Sequence, residues 1–248
     1  MNIGLYQSAA SMSALERWQD AVAQNTTSGQ VTAYRKRTVE FSTQAAGEWQ
    51  IENGEGGGET SVPALFPKAT NGISFVAGET QATGRDLDVA IQGQGFFAVQ
   101  QSDGTTAYTR DGEFTTRADH TLVNSSNQPV LSDAGSPIML APDGSKVTIN
   151  PNGQIVQGTT VVGRLGVQSF DDTSVLRPIA GGMFVAPSNV SPSPVMKPQL
   201  LQGYIEGSNT APMREMVNLV LISRAYDANQ RVITNGDEQL QKTLDALG

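Results

Sequence analysis

The chain has 248 residues, 38% of them hydrophobic, and its 16 Lys and Arg against 24 Asp and Glu leave a net charge of −8. With 26 glycines added to the apolar share, the composition reaches the ordinary globular range, enough for one large domain or two small ones. An acidic chain lacks the basic face that displaces counterions, which excludes nucleic acid as the main partner. The absence of cysteine excludes disulfides, thiolate metal sites and a Cys nucleophile. No apolar run approaches the roughly 18–20 residues that span a bilayer, so membrane insertion is not expected. Met1 to Ser13 carries neither a basic n-region nor an apolar core, so no Sec-type signal is read there.

Residues 3–25 predict a helix. Leu5, Met12 and Leu15 recur at three- and seven-residue spacing, with Ala9 and Val22 on or beside the same stripe, and no Pro or Gly interrupts Leu5 to Asn25. The helix is expected to fail between Asn25 and Gly29, where β-branched and backbone-competing side chains precede a Gly. Residues 47–84 show little periodicity and gather Gly54, Gly56, Gly57 and Gly58 ahead of Pro63 and Pro67. This stretch reads as a loop, either a flexible connector or a segment ordered by a neighbour.

From Asp86 to about Lys197 the pattern is β. Leu87, Val89 and Ile91 alternate with polar or small residues, and short apolar runs recur between Asp103-Gly104, Asp111-Gly112, Asp143-Gly144 and Asn152-Gly153. Such pairs supply the positive-φ positions of tight hairpins. Many short strands at turn-length spacing predict an antiparallel barrel or sandwich.

Met213 to Leu247 predicts a long helix. Leu219, Tyr226, Ile233, Leu240 and Leu247 mark one strict heptad column, and the companion column holds Met216, Ser223, Gln230, Asp237 and Leu244. Pro212 stands where a missing N–H is harmless, and Gly236 is a soft spot. A helix of this length spans ~50 Å. Fixing its backbone costs ~1–2 kcal/mol per residue, while each buried seam side chain returns at most ~1.5–3 kcal/mol. One narrow seam is therefore marginal alone. The shorter N-terminal stripe is an intramolecular partner that leaves part of the seam for other subunits.

Several segments resemble bacterial flagellar rod and hook proteins. The C-terminal signature is Gly203-Tyr204-Ile205-Glu206-Gly207-Ser208-Asn209 followed by Glu215-Met216, Arg224-Ala225-Tyr226, Asn229 and Asp237-Glu238-Gln239-Leu240. Gly4-Leu5-Tyr6 with Ala9-Ala10-Ser11-Met12 is similar to the family's opening. Leu87 to Phe97 and Tyr108-Thr109-Arg110-Asp111-Gly112-Glu113-Phe114 match its centre, so the likeness covers nearly the whole chain in order. Where the family carries a Thr-Gly-Tyr-Lys turn, this chain has Thr32, Ala33, Tyr34 and Arg35. Ala is a poor host for positive φ, so a different turn shape is expected there.

The resemblance implies a structural subunit of the basal-body rod, polymerising helically in the periplasm through its terminal helices to form the drive shaft and export channel. The compact β body and the Thr83 to Asp88 entry favour the proximal over the distal rod type. The implied partners are copies of itself, other axial rod and hook proteins, the flagellar type III export apparatus and the enclosing ring proteins. No cofactor or metal is implied. The expected fold class is α+β, with paired N- and C-terminal coiled-coil-like helices and a central antiparallel β-barrel or sandwich. The expected division is 1–34 (helix and turn, inner tube), 35–85 (Gly-rich linker loop), 86–200 (β body) and 201–248 (helix, inner tube). The expected assembly residues are Leu5, Met12, Leu15, Val22, Asn25, Met216, Leu219, Tyr226, Ile233, Leu240, Leu244 and Leu247.

Enzyme-like features dissolve on inspection. His120 stands alone beside a hairpin-like turn, with no visible nucleophile or orienting partner. Gly93-Gln94-Gly95 leads into Phe96-Phe97, not a helix, so close backbone approach explains it better than a phosphate loop. The Asp-Gly pairs lack Ca²⁺-loop spacing. Arg35-Lys36-Arg37 reads as a solvated edge or a contact to an acidic neighbour. The competing readings are a secreted binding module with a helical stalk, against which stands a β body without Trp, and a hydrolase on a β scaffold.

Overall fold

The computed structural model describes residues 3–51 and 60–246. The chain forms two compact units, one of Met1–Thr27, Arg37–Ser74 and Ala211–Gly248, the other of Ser28–Lys36 and Phe75–Thr210.

The first, helical unit holds α1 (Ile3–Thr27), β1 (Arg37–Ile51), β2 (Thr60–Ile73) and α2 (Pro212–Asp245). Helix α1 ends as its sequence dictates: the Thr26 and Thr27 hydroxyls donate back to the carbonyls of Val22 and Ala23, competing with continuation of the helix. Pro212 opens α2 at its first helical position, and the helix runs through Gly236 without a break.

Where a loop was expected, β1 and β2 form a long antiparallel hairpin, in register from Arg37↔Ile73 to Ile51↔Thr60 with a shift between Ala45 and Glu48. The Gly and Pro residues dominated the reading, whereas Val39, Phe41, Thr43 and Ala45 alternate with polar residues at strand period. The Gly54 to Gly58 cluster lies outside the described residues. A two-stranded hairpin needs a helix to lean on, and α1 supplies it. Arg17 Nη1 donates to Ala69 O at 3.1 Å, Gln7 Nε2 donates to Leu65 O at 3.0 Å, and the Trp18 ring meets Phe41 edge-on at 5.7 Å.

The second, β unit contains β3 (Thr80–Ala82), β4 (Val89–Gln92), β5 (Phe96–Gln100), β6 (Thr106–Thr109), β7 (Thr115–Thr116), β8 (Leu122–Val123), β9 (Val147–Ile149), β10 (Gln154–Gln157), β11 (Thr160–Arg164), β12 (Val167–Ser169), β13 (Arg177–Ile179), β14 (Met183–Val185), β15 (Ser193–Pro194), β16 (Gln199–Gln202) and β17 (Tyr204–Glu206). Every named pairing is antiparallel. The strands do not close into a barrel. The largest sheet is open, in the order β13-β14-β6-β5-β12-β15, beside β11-β10-β9 and three two-stranded pairs. Strands of two to five residues are too short to carry the continuous stagger that closure requires.

Together these small sheets enclose one core, in which Val89, Phe97, Val99, Leu122, Val130, Ile155 and Leu165 are almost fully buried. Phe97 and Phe114 pack edge-to-face at 5.1 Å. Of the four predicted turn glycines, Gly104, Gly144 and Gly153 adopt positive φ and Gly112 does not. Gly112 is needed for another reason: a Cβ there would lie 1.8 Å from the Val89 carbonyl oxygen. The close-approach reading holds in part: a Cβ on Gly95 would fall 2.6 Å from the side-chain atom Val167 Cγ1, whereas one on Gly93 would meet nothing within 4 Å. His120 sits exposed in a turn at φ 64.

Candidate assembly surface

The predicted assembly residues fall into separate environments. Leu15 and Val22 are buried against Ile222, with Trp18, Leu219, Ala225 and Tyr226 partly buried around them. Met12 and Ile233 are half-buried, and Met216 is 52% exposed. The side chains of Leu5, Leu240 and Leu244, and all of Leu247, lie outside the described positions. The column Leu219, Tyr226, Ile233 does face inward. Its companion, however, is Glu215 and Ile222, both buried, with Asn229 and Gly236 half-buried, one residue earlier than Met216, Ser223, Gln230 and Asp237. Three- and four-residue steps from Leu219 are equally helical, and the charge on Glu215 disguised it as a surface position. Leu219, Ile222 and Tyr226 also line an open groove rimmed by Glu16, Gln19 and Asp227, so the helix pair is not sealed.

Asn25 is buried inside its own unit. Its Nδ2 donates to Arg37 O at 2.8 Å, and Arg37 N–H donates to its Oδ1 at 2.8 Å. Glu215 Oε2 accepts from Asn25 Nδ2 and from Asn218 Nδ2, each at 3.5 Å. This carboxylate lies in the first turn of α2, where the helix dipole favours negative charge. Asn25 thus joins the end of α1, the start of β1 and the start of α2.

The face of α2 turned away from α1 was not foreseen. Met213, Val217, Val220 and Leu221 lie on it at three- and four-residue spacing and are 48–78% exposed, with Met216 at its flank. From Arg224 onward the same face turns polar, with Asp227 and Arg231. The signal was present as a second apolar stripe, overshadowed by the strict heptad.

In the β unit, the motifs that carry the family likeness converge. Arg35 Nη2 bonds Glu206 Oε1 at 2.6 Å, Gly78 N–H donates to the same oxygen at 2.8 Å, and Arg110 Nη1 lies 3.4 Å from Glu206 Oε2. Arg110 also donates to Gly93 O at 2.6 Å and stands over the Phe96 ring at 5.4 Å. Burial, partly offset by Glu206 and reinforced by Arg35, pushes the Arg110 guanidinium down to about 10, so it stays protonated at neutral pH. Arg35 is therefore neither a solvated edge nor a contact to a neighbour. Ala33 is buried and keeps the left-handed turn at φ 58, its N–H held by Glu206 O at 2.7 Å. Ala33 thus takes the positive φ that Ala hosts poorly. The fixed partner holds Ala in a conformation that disfavours it by roughly 1–2 kcal/mol.

Among the described residues, no helix is long and apolar enough to cross a membrane. The family described as "Flagellar hook protein FlgE/F/G D1 domain" matches residues 90–157, and "Flagellar basal body rod FlgEFG protein C-terminal" matches residues 201–246. The chain is 33% identical to the flagellar basal-body rod protein FlgF of Caulobacter vibrioides, over 100% of this chain and 99% of that protein. It is 29% identical to the basal-body rod protein FlgG of Agrobacterium fabrum, over 93% and 94%, and 26% identical to FlgG of Bacillus subtilis, over 97% of each. With likeness of that extent along its whole length, the chain belongs to the family of flagellar basal-body rod and hook proteins, structural components of the basal body and not enzymes.

Proposed function

We propose that this chain is a rod subunit that polymerises helically through its terminal helices. Residues 1–34 and 201–248 form the inner tube around the export channel, with coiled-coil-like packing carried on between subunits, and the β body forms the outer surface. Its partners are copies of itself and other axial rod and hook proteins, with the type III export apparatus delivering it and the ring proteins enclosing it. The full-length likeness to Caulobacter FlgF supports the proximal rod type over the distal.

The observation that carries the reading is the outward stripe Met213, Val217, Val220 and Leu221 on a helix whose opposite face is already packed on α1. A helix apolar on two faces is one that is covered on two faces. The double variant Val220→Asp, Leu221→Asp tests this. It is expected to leave the β unit folded and to abolish incorporation into basal bodies and motility, and Leu240→Asp is expected to act in the same direction. Normal incorporation of the double variant would defeat the reading.

A further inference from the structure

Helix α2 carries two apolar surfaces whose rims differ in charge. On the side of α1, Leu219, Ile222 and Tyr226 floor the open groove, about 370 Å³ in volume, and its charged residues are Glu16 and Asp227. No Lys or Arg lines it. On the far side, the stripe Met213, Val217, Val220 and Leu221 is bordered by the exposed Arg214, Arg224 and Arg231. None of these five charged groups forms an ion pair among the described residues. Asp227 stands one helical turn from both Arg224 and Arg231 and pairs with neither.

The two acids gather at one end of the groove. Helix α1 runs antiparallel to α2, since Asn25 near its end meets Glu215 while Leu15 packs on Ile222. From the Asn25 contact each helix rises about 1.5 Å per residue, which brings Glu16 level with Arg224. Glu16 and Asp227 therefore stand together at the Tyr226 end, and the uncharged Gln19 stands further towards Leu219. The stripe has the matching order along the helix, with Val217, Val220 and Leu221 first and Arg224 after them. Val217 to Arg224 and Leu219 to Tyr226 each span two helical turns, about 10 Å. A helix laid in the groove parallel to α2 sets its apolar stripe over Leu219 and Ile222 and its Arg224 between Glu16 and Asp227.

We infer that the stripe of one copy docks in the acidic groove of a second copy of this chain, the two α2 helices running parallel. The inference rests on the polymerisation reading above, in which the stripe is covered, and identifies its cover. Stripe and groove face different ways from the same helix, so no copy joins its own two halves. The contact is heterologous: each added copy brings a free stripe and a free groove, and the contact repeats. Two stripes face to face are refused, because they bring Arg224 against Arg214 when antiparallel and against Arg224 when parallel. Helix α1 is no substitute for the stripe, since its exposed Glu16 and Asp20 repeat the sign of the groove's rim.

Charge reversal tests the pairing. Glu16→Lys with Asp227→Lys reverses the groove, and Arg224→Glu with Arg231→Glu reverses the stripe. Each pair is expected to lower incorporation into basal bodies by roughly tenfold or more, since like charges then meet. All four substitutions in one chain, expressed without wild type, are expected to restore incorporation. Failure of that rescue, in a variant whose monomer keeps the wild-type unfolding midpoint, overturns the docking, and is the result a different axial protein in the groove would give. A second measurement keeps the native charges and decides if the reversed chains misfold. The chain has no cysteine, so two differently tagged copies are co-expressed, one with Gln19→Cys and the other with Val220→Cys, and the basal bodies are oxidised. A disulfide joining the two tags is expected. Its absence, or a disulfide joining two Val220→Cys copies, overturns the docking and leaves the helical reading standing. Normal incorporation of the Val220→Asp, Leu221→Asp variant defeats the helical reading instead.

Discussion

The β unit and the helical unit handle apolar surface in opposite ways. In the β unit, Val89, Phe97, Val99, Leu122, Ile155 and their neighbours form one continuous buried cluster of seventeen residues. In the helical unit the described helix-pair cluster is Leu15, Val22 and Ile222, while Met213, Val217, Val220 and Leu221 stay outside it. The β unit encloses a core of its own. The described helix-pair cluster is small beside elements of 25 and 34 residues, and helices draw most of their stability from packing.

The largest expected effects test the self-sufficiency of the β unit. Glu206→Gln leaves Arg35 and Arg110 buried without their counter-charge, and about 3–5 kcal/mol of its unfolding free energy should disappear in urea titration. Phe97→Ala should cost about 3–5 kcal/mol by the same measurement. Its counterpart Ile222→Ala should fall near the lower end of the range for such truncations, about 2 kcal/mol, because the open groove beside it lets neighbours relax. Equal losses at Phe97 and Ile222 would erase the contrast.

Asn25→Ala should cost about 1–3 kcal/mol, because the outward N–H and C=O of Arg37 lose their partner. Hydrogen exchange should report that loss at the start of β1 and not in the β unit. The smallest effect concerns pH. Burial raises the Asp111 carboxyl above its ordinary value, partly opposed by the Ser125 hydroxyl bonded to it. The protonated form is thus favoured by folding. Its contribution is full below the unfolded value of about 4 and fades as pH rises through the folded one. Between pH 4 and neutrality, wild type should lose melting temperature relative to Asp111→Asn, and parallel profiles would contradict this.

Much of the fold was legible in local pattern. The stripe from Leu5 to Val22 and the Asn-Thr-Thr-Ser-Gly stop gave α1, Pro212 gave the start of α2, and Gly104, Gly144 and Gly153 gave turns. The hairpin was missed because glycines and prolines outweighed the alternation from Val39 to Ala45. Prolines at outward positions of an edge strand do not forbid the strand, and only the register shows which positions those are. The packing of α2 was half legible. The inner column Leu219, Tyr226, Ile233 followed from the heptad, while the outward stripe was obscured by it.

What the amino-acid order determined by itself is what depends on near neighbours: helix limits, turn positions, alternation along strands and the motifs of the family. These follow from sterics and from hydrogen bonds a few residues long. The tertiary structure decided which heptad companion is buried and how Ala33 keeps a left-handed turn. It also decided that Arg35 meets Glu206, 171 residues away in the chain. Those outcomes depend on contacts between distant segments, whose partners no local spacing names.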